Sequence, residues 1–562
     1  MNNSYTKDKI KTNKENVGVE RRRRMKLTYE GIKNREGWET AGITLPGYDV
    51  EAVAEATKKA PRWVHFGIGN IFRVFLGGIA DTLLEKGEMD RGITCVEAFD
   101  YDVVDKIYDP FDNLSLSVIL HGDGTQDKKV IGSLTEAIKA QCDQPEAWNR
   151  LKEIFAAPSL QMVSFTITEK GYALKKADGN FLPFIEKDIE NGPEEATSAM
   201  AIVTAMLLER YQKGAAPLSL VSMDNCSKNG EKFRESVLEM TEEWKKRGFV
   251  DDGFAAYVND ESKVAFPWTM IDKITPRPSE KIAAELEAAG VENMQPVITS
   301  KRTYIAPFVN AEGPQYLVVE DSFPNGRPAL EKAGVYVADR DTVNKSERMK
   351  VTVCLNPIHT ALGPYGCVLG YELFPDEMRD PDMLKLANVV GYKEGMDVVP
   401  DPVILSPKAF LDELMTDRFP NMYLGDTCLR LCTDSSQGLG VRFGVTVQSY
   451  VEKYGDAKKL IGIPLAITGW LRYLLGVDDE GNKYELAPDP MAEEIRERLD
   501  GIVVGDPSTL KDQLKWILSN ESVFFINLYD AGIGTLIEDM FREEIAGPGA
   551  VRATVQKYLA QI

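Results

Sequence analysis

The segment from residue 61 to residue 87 places a tight glycine turn between a short apolar run and a helical pattern. PRWVHF is the apolar run, GIGN supplies Gly67 and Gly69, and the following residues have helical periodicity. A parallel α/β sheet that binds a dinucleotide begins in this way, because bare backbone N–H groups at a helix N-terminus can approach a pyrophosphate. Phe72 and Arg73 stand where the usual third glycine is expected, so an ordinary turn remains an alternative. Arg73 is expected to contact the phosphates or to form a surface salt bridge.

The next apolar run, ITCVEAFD, ends in acidic residues suited to a cofactor ribose. Asp100 is the predicted acceptor, because a carboxylate there hydrogen-bonds a ribose diol and repels a 2′-phosphate. Asp100 lies about ten residues further from the glycines than is usual, and Glu97 or Asp102 could take the same part. The run therefore favours NAD over NADP.

Two later apolar runs also end in polar residues. QMVSFTIT precedes Glu169, a candidate cofactor contact, and PLSLVSMDN ends at Asn225. Ligands of open parallel sheets bind outside the carboxyl ends of the strands, so Asn225 could donate to a substrate oxygen or to the cofactor amide. An Asx turn is the alternative interpretation of Asn225. Beyond about residue 345 helical patterns dominate, which predicts an α/β half followed by a mainly α-helical half.

Composition narrows the classes of protein and of partner. The 562 residues exceed one ordinary core, so two large domains are expected. The formal net charge of -21 argues against a nucleic-acid partner. Seven scattered cysteines and the lack of a membrane-length apolar run predict a cytoplasmic protein with no metal site, no disulfide framework and no membrane contact. Residues 1 to about 24, which are polar and end in arginines, predict a disordered leader or, alternatively, a nucleic-acid arm.

The run SERMKVTVCLNPIHTAL brings together an amine, a carboxamide and an imidazole. Lys350, Asn356 and His359 fall within ten residues of a chain that has only three histidines. Such groups can pass a proton to a carbonyl oxygen while a hydride reaches its carbon, which indicates carbonyl/alcohol redox chemistry. Each residue also has an ordinary interpretation: Lys350 in a solvated pair with Glu347, Asn356 in a turn and His359 in the core.

Several stretches, in the same order along the chain, resemble the mannitol dehydrogenase family of zinc-independent polyol and sugar-acid long-chain dehydrogenases. They cover nearly everything from about residue 60 onward, and IDKITP is the most specific of the motifs. The stretches are VHFGIGNIFR (64–73), TITEKGY (166–172), MDNCSKNG (223–230), FPWTMIDKITP (266–276), VVEDSFPNGRPALEKAGV (318–335), ERMKVTVCLNPIHTALG (347–363), DSSQGLGVRF (434–443) and GWLRYLLGVDDEG (469–481).

The resemblance implies an NAD-binding Rossmann-like domain over residues 61–344 and a helical substrate domain over residues 345–562, with the active site between them. Residues 1–60 would be an N-terminal extension. The roles that the resemblance implies are Lys350 as catalytic acid/base, Asn356 and Asn225 as holders of the reacting oxygen, His359 as the group that orients a substrate hydroxyl, Glu347 as proton relay, and Asp272 and Arg430 as substrate contacts. A free lysine is a poor base at neutral pH, so the site should lower its pKa.

This chain departs from the family pattern at two places. The step from Lys350 to Asn356 is six residues instead of five, which on a regular helix would rotate the lysine by about 100° relative to the amide. Pro357 removes a backbone donor nearby, so we predict a π-type bulge or local unwinding near Val353 to Asn356. The second departure is Gly438, which stands where many relatives have a substrate-contacting lysine.

The substrate is expected to be a keto sugar acid. The closest similarity is to enzymes of hexuronate breakdown that interconvert D-fructuronate and D-mannonate. A uronate needs a cation for its carboxylate, and the candidates are Arg430, Arg442, Lys301 and Arg302. Mannitol 2-dehydrogenase or tagaturonate reductase activity is the alternative within the family, and a non-catalytic NAD-binding sensor is the alternative from another class.

Overall fold

The computed structural model describes residues 24–562, and a six-stranded parallel sheet organises its first half. The strands are β1 (Trp63–Phe66), β2 (Ile93–Glu97), β3 (Leu134–Lys139), β4 (Met162–Phe165), β5 (Leu218–Ser222) and β6 (Val264–Ala265). Their spatial order is β3-β2-β1-β4-β5-β6, and every neighbouring pair is parallel. This is the strand order of a doubly wound dinucleotide-binding sheet, whose ligands bind at the carboxyl edge near β1.

The turn after β1 has the geometry that the glycine spacing predicts. Gly67 has φ +88°, and a Cβ there would lie 2.1 Å from the carbonyl oxygen of Thr166. The strand is therefore held close to β4 at a position where only glycine fits. His65 is buried in β1 and stacks on Phe72 at 4.0 Å between ring centroids.

Helices pack on both faces of this sheet and bury the apolar side chains of its strands. In the first half the α-helices are Tyr29–Ile32, Arg35–Thr40, Val50–Lys59, Gly77–Glu85, Pro145–Ala156, Glu169–Tyr172, Pro183–Asn191, Ala199–Gln212, Asn229–Lys246, Asp252–Asn259 and Glu280–Ala288. Phe72–Leu76 and Val104–Tyr108 are π-helical, and Asp109–Phe111, Pro193–Glu195 and Leu330–Ala333 are 3₁₀ turns.

Smaller sheets join the N-terminal segment and the later strands to this domain. Ile43–Thr44 pairs with Gln126–Ile131, which forms a hairpin with Ser115–Leu120, and Phe308–Ala311 adds in parallel. Thr269–Asp272, Tyr316–Glu320 and Tyr336–Ala338 form a second small sheet, and Val297–Ile298 pairs with Tyr304–Ile305. Residues 25–60 are thus packed on the domain, with Trp38 fully buried. Apart from Arg24, the predicted disordered leader lies outside the described residues.

The second half is helical, as the sequence predicts. Its α-helices are Arg340–Met349, Asn356–Leu369, Phe374–Glu377, Pro381–Asn388, Pro407–Glu413, Cys428–Leu431, Ser435–Leu439, Val445–Tyr454, Gly462–Tyr473, Ala492–Arg498, Gln513–Leu518, Glu521–Phe524, Gly534–Glu544 and Ala550–Leu559. Lys350–Cys354, Val389–Gly395, Leu414–Arg418 and Gly440–Gly444 are π-helical, and Pro507–Thr509 is a 3₁₀ turn. One apolar core joins these helices.

The predicted domain boundary between residues 344 and 345 stays a prediction. It falls inside the helix Arg340–Met349, which is continuous and capped by Asp339 at its start. The change from sheet to helices therefore comes just after the strand Tyr336–Ala338. Within residues 24–562, no helix combines the length and the apolar character needed to cross a membrane.

Gly67→Ala is expected to destabilise the protein by about 2 kcal/mol or more, because an alanine is strained at this positive φ and its Cβ collides with the Thr166 carbonyl. Urea unfolding measures the change in free energy. Gly78→Ala is the matched control: a Cβ there meets no atom within 4 Å, so the helix Gly77–Glu85 should keep or gain stability. Equal stabilities for the two variants would contradict the close approach of β1 and β4.

Candidate active site

Lys350 lies on a π-helical turn that joins two regular helices. The backbone N–H of Leu355 donates to the carbonyl of Lys350 at 3.0 Å, a bond that spans five residues instead of four. Pro357 is the second residue of the next helix and has no N–H to give to the preceding turn, which is why the extra residue is absorbed here. The predicted bulge is confirmed, although it begins at Lys350. The six-residue step to Asn356 thus spans an angle close to that of five residues on an α-helix.

The amine of Lys350 is buried between the two halves of the molecule. Its Nζ donates to Oδ1 of Asn225 at 2.5 Å and to the carbonyl of Ile271 at 2.9 Å, and both partners come from the sheet domain. Burial is the largest influence and lowers the pKa of Lys350, and the charge of Arg418 lowers it further. Asp272 and Glu347 act in the opposite direction. The sequence-predicted pair Lys350 and Asn225 is therefore in direct contact, and the amine has a lowered affinity for protons.

Glu347 and Asn356 flank the lysine on the same stretch of chain. Glu347 lies one turn earlier, half-buried, and its Oε2 accepts a hydrogen bond from Ser227 Oγ at 3.2 Å. Ser227 is exposed, so the hydrogen bond places the Glu347 carboxylate at the solvent side of the site. Asn356 is the first residue of the helix Asn356–Leu369, and its side chain is half-buried.

His359 presents an imidazole nitrogen without a partner. Its Nε2 is buried and makes no hydrogen bond to any of residues 24–562. The ring packs against Phe374 and Phe419, with centroids 4.9 and 5.0 Å away. Burial lowers the pKa of His359 to about 3, and the positive charges of Arg418, Arg430 and Arg442 add to the effect. A neutral imidazole with a free nitrogen suits a substrate hydroxyl, which can donate or accept.

Arg418, Asp272 and Glu312 form a buried ion network close to Lys350. Arg418 Nη1 is 2.8 Å from Asp272 Oδ2, and Arg418 Nε is 2.6 Å from Glu312 Oε2. Arg418 is 2% exposed, and both acids come from the sheet domain. Burial raises the pKa of Glu312 to about 7 and lowers that of the adjacent Lys273 to about 8. Asp272, a predicted substrate contact, is thus paired with Arg418.

Sequence reasoning missed Arg418 and Glu312. Arg418 follows LMTD in an amphipathic helical run, where a charged residue is normally solvated. Its acidic partner Glu312 is 106 residues away in the chain, so no local spacing connects them. The IDKITP motif gave the one available signal, since it contains both Asp272 and Lys273.

The other predicted cations have different surroundings. Arg430 is largely exposed and pairs with Asp426. Arg442 lies on the π-helical turn Gly440–Gly444, and its Nη1 donates to Thr360 Oγ1 at 2.7 Å. Lys301 and Arg302 lie in the turn before Tyr304–Ile305, where the Lys301 amine is 5.2 Å from the ring centroid of Phe99.

The glycine turn leaves room for a ligand at the carboxyl edge of the sheet. A Cβ at Gly69 would meet no atom within 4 Å, in contrast to Gly67. The carboxylate of Glu97, at the end of β2, accepts the N–H of Ile68 at 3.4 Å. Asp100 instead accepts from Thr299 at 2.7 Å and from Thr303 at 2.5 Å, so its carboxylate holds the 299–303 turn.

Three other predicted cofactor residues face protein atoms. The Phe72 side chain is buried against His65, so only its backbone can reach the glycine turn. Arg73 is 1% exposed and donates to the Ala306 carbonyl and Asn70 Oδ1, each at 2.8 Å. Arg73 therefore bonds these two buried oxygens instead of forming the surface salt bridge that was expected as one alternative. Glu169 is exposed and pairs with Lys232.

The chain matches two family descriptions that together cover most of its length. Residues 61–332 match the mannitol dehydrogenase Rossmann domain, and residues 342–538 match the mannitol dehydrogenase C-terminal domain. The chain belongs to the mannitol dehydrogenase family. The family and the two-part fold predicted from the sequence are confirmed.

Named relatives and solved structures agree with this assignment. The chain is 50% identical over 540 residues to the D-mannonate oxidoreductase of Thermotoga maritima, which covers 96% of this chain and 99% of the relative. A D-sorbitol dehydrogenase in substrate-free form superposes with a TM-score of 0.73 at 24% identity, covering 92% of this chain and 98% of its own. The ternary complex of Pseudomonas fluorescens mannitol 2-dehydrogenase with NAD and D-mannitol gives 0.68 at 24%, covering 96% and 100%. Both structures support the fold.

Arg418→Met is expected to lower the free energy of unfolding by about 3–5 kcal/mol at pH 8, because it leaves Asp272 and Glu312 buried without a cation. The loss should be smaller at pH 5. Without Arg418 the folded-state pKa of Glu312 rises further above its unfolded value, so the penalty is relieved by protonation and grows as pH increases through the folded-state pKa.

Urea unfolding at both pH values measures this dependence. The control is Arg379→Met, which removes an exposed pair with Asp376 and should cost less than about 1 kcal/mol at either pH. A pH-independent loss in Arg418→Met would contradict the role of the buried acids.

Proposed function

We propose that the chain is an NAD(H)-dependent oxidoreductase that interconverts a keto sugar acid and its hydroxy acid, namely D-fructuronate and D-mannonate. The observation that carries the proposal is the buried Lys350 amine, bonded to Asn225 across the domain seam and followed by Asn356 and His359. The 50% identity to a D-mannonate oxidoreductase over nearly the whole chain supports the substrate class.

The glycine turn fits the cofactor. Open space above Gly69 and the backbone N–H groups of the turn suit a pyrophosphate. The carboxylate of Glu97 already accepts four backbone N–H groups, whereas Oδ1 of Asp100 has no hydrogen-bond partner among residues 24–562, so Asp100 is the acid that can accept a ribose diol. Phe72 and Arg73 would then support the turn, with Glu169 at its margin. NAD(H), when bound, supplies or accepts the hydride.

Lys350 handles the proton of the reacting oxygen. In its neutral form it takes the hydroxyl proton during oxidation, and in its charged form it returns the proton during reduction. Because Asn225 Oδ1 accepts from the lysine, Asn225 Nδ2 is the end that can donate to the substrate oxygen, together with Asn356. Glu347 exchanges the proton with solvent beside Ser227.

The remaining predicted residues form the substrate side of the cleft. His359 Nε2 binds a sugar hydroxyl, and Arg430 and Arg442 supply positive charge near it. Asp272 contributes through its ion pair with Arg418, which fixes the Arg418 guanidinium beside the imidazole. The proposal includes a cytoplasmic setting, the reducing compartment that suits seven free cysteines.

An assay of the purified protein with NADH separates the candidate substrates. D-fructuronate is expected to be reduced with a kcat/KM at least about tenfold above those of D-tagaturonate and D-fructose. A cation favours its carboxylate over the hydroxymethyl group of fructose, and the 50% identity to a D-mannonate oxidoreductase favours it over tagaturonate. Faster turnover of fructose would reject the sugar-acid assignment in favour of a mannitol dehydrogenase. Tight NADH binding without turnover of any ketose would favour the non-catalytic sensor.

Lys350→Met is expected to lower kcat by about 100-fold or more, because the proton acceptor is lost while the volume is kept. In the wild type, kcat/KM for D-mannonate oxidation should rise with pH as Lys350 loses its proton, with a midpoint below the usual lysine pKa. The reduction should decline through the same pH range.

Glu347→Gln tests the assignment of that titration. The negative charge of Glu347 raises the pKa of Lys350, so its removal should move the midpoint of the profile to lower pH. Glu231→Gln, a change at an exposed acid paired with Lys228, is the control and should leave the midpoint in place. A midpoint that does not move in Glu347→Gln would remove Glu347 from the proton path.

A further inference from the structure

Gly438 makes room for the guanidinium of Arg442. A Cβ at position 438 would lie 2.7 Å from both Cζ and Nε of Arg442 and 3.0 Å from Nη1. Gly438 belongs to the helix Ser435–Leu439, and Arg442 follows on the π-helical turn Gly440–Gly444. Any side chain at 438 would therefore displace the guanidinium from its present position.

Arg442 is a half-buried cation without an acidic partner among residues 24–562. Arg418 pairs with Asp272 and Glu312, and Arg430 pairs with Asp426. Within residues 24–562, by contrast, Arg442 forms no ion pair, and its one hydrogen bond is the 2.7 Å contact of Nη1 with Thr360 Oγ1. A guanidinium has five N–H donors, so most of its binding capacity is unused. Partial removal of an unpaired charge from water is unfavourable, and an anionic ligand would relieve the cost.

The position of this cation links it to the reacting end of the cleft. Its partner Thr360 is adjacent to His359, whose buried Nε2 also lacks a partner. The segment after Arg442 packs on the lysine turn, because Thr446 Oγ1 donates to the Thr352 carbonyl at 3.2 Å. Arg442 therefore stands beside the substrate wall on the helical domain, whereas the glycine turn for the pyrophosphate belongs to the sheet domain.

We propose that Arg442 is the residue that binds the carboxylate of the sugar-acid substrate, and that Gly438 determines specificity by keeping space for its guanidinium. This inference rests on the proposed function and deepens it. A guanidinium matches a carboxylate with two parallel charge-assisted hydrogen bonds, so an acid is favoured over the corresponding neutral ketose. The exposed Arg430, which is already paired with Asp426, then contributes less than Arg442 to binding of the carboxylate.

The test compares D-fructuronate with D-fructose, which has a hydroxymethyl group in place of the carboxylate. Arg442→Gln should lower kcat/KM for fructuronate on the order of 100-fold, mainly through KM, and change kcat/KM for fructose less than about threefold. Arg442→Lys should recover part of the loss, since it restores the charge without the paired geometry. Arg379→Gln, at an exposed arginine, is the control and should resemble the wild type.

Gly438→Ala tests the space that the Arg442 guanidinium occupies without changing any charge. Alanine favours a helix, so this variant should be as stable as the wild type in urea, yet its new Cβ should displace Arg442 and lower kcat/KM for fructuronate about tenfold or more. Gly78→Ala, a helical glycine with open space around it, is the matched control and should leave the activity unchanged.

Distinct results would overturn the inference without affecting the proposed function. If the wild type reduces fructuronate but Arg442→Gln loses the same factor on fructose, Arg442 does not read the carboxylate. A rise in the KM for NADH with an unchanged KM for fructuronate would assign Arg442 to a cofactor phosphate instead. Failure of the wild type to reduce any uronate would reject the proposed function itself.

Discussion

The burial of one lysine amine in the seam between two domains is the constraint on which the site depends. Lys350 comes from the helical half, and the oxygens that receive its hydrogen bonds belong to Asn225 and Ile271 of the sheet half. An amine removed from water binds protons less tightly, and two oxygen acceptors hold it in place. The ion network of Arg418 with Glu312 fastens the same seam. The proposed proton transfer and the packing of the two domains therefore depend on the same contacts.

Widened helical turns position the charged groups of the site. Lys350, Arg418 and Arg442 lie on three separate π-helical turns of the helical domain. A π turn holds an extra residue, and it shifts the direction of the side chains that follow it by about a quarter turn. The helix Val445–Tyr454, which follows the last of these turns, packs on the lysine turn through Thr446 and Thr352. The helical domain thus remains regular enough to form one core while its widened turns carry these three cations.

Much of the fold and part of the site can be predicted from the sequence, because the signals are local. The glycine spacing at Gly67 fixes the start of the sheet, and the six-residue step to Asn356 with Pro357 indicates the bulge. Other features depend on contacts between distant segments, such as the pairing of Arg418 with Glu312. Asp100 and Glu97 show the same limit, because both acids end one apolar run. Only the folded chain shows that Glu97 accepts nearby backbone N–H groups, while Asp100 accepts from the distant 299–303 turn.

The seam around Lys350 also links the hydration of the amine to its binding of protons. Dehydration of the amine exists only while the two domains are in contact. Any separation of the domains hydrates the amine and returns its proton affinity toward that of free lysine, so opening and proton uptake are thermodynamically linked. Acidification would then favour the separated form at pH values between the two pKa values of Lys350, an effect that X-ray scattering of the wild type and of Lys350→Met could compare. Protonation of Lys350 would therefore weaken the contact between the two domains.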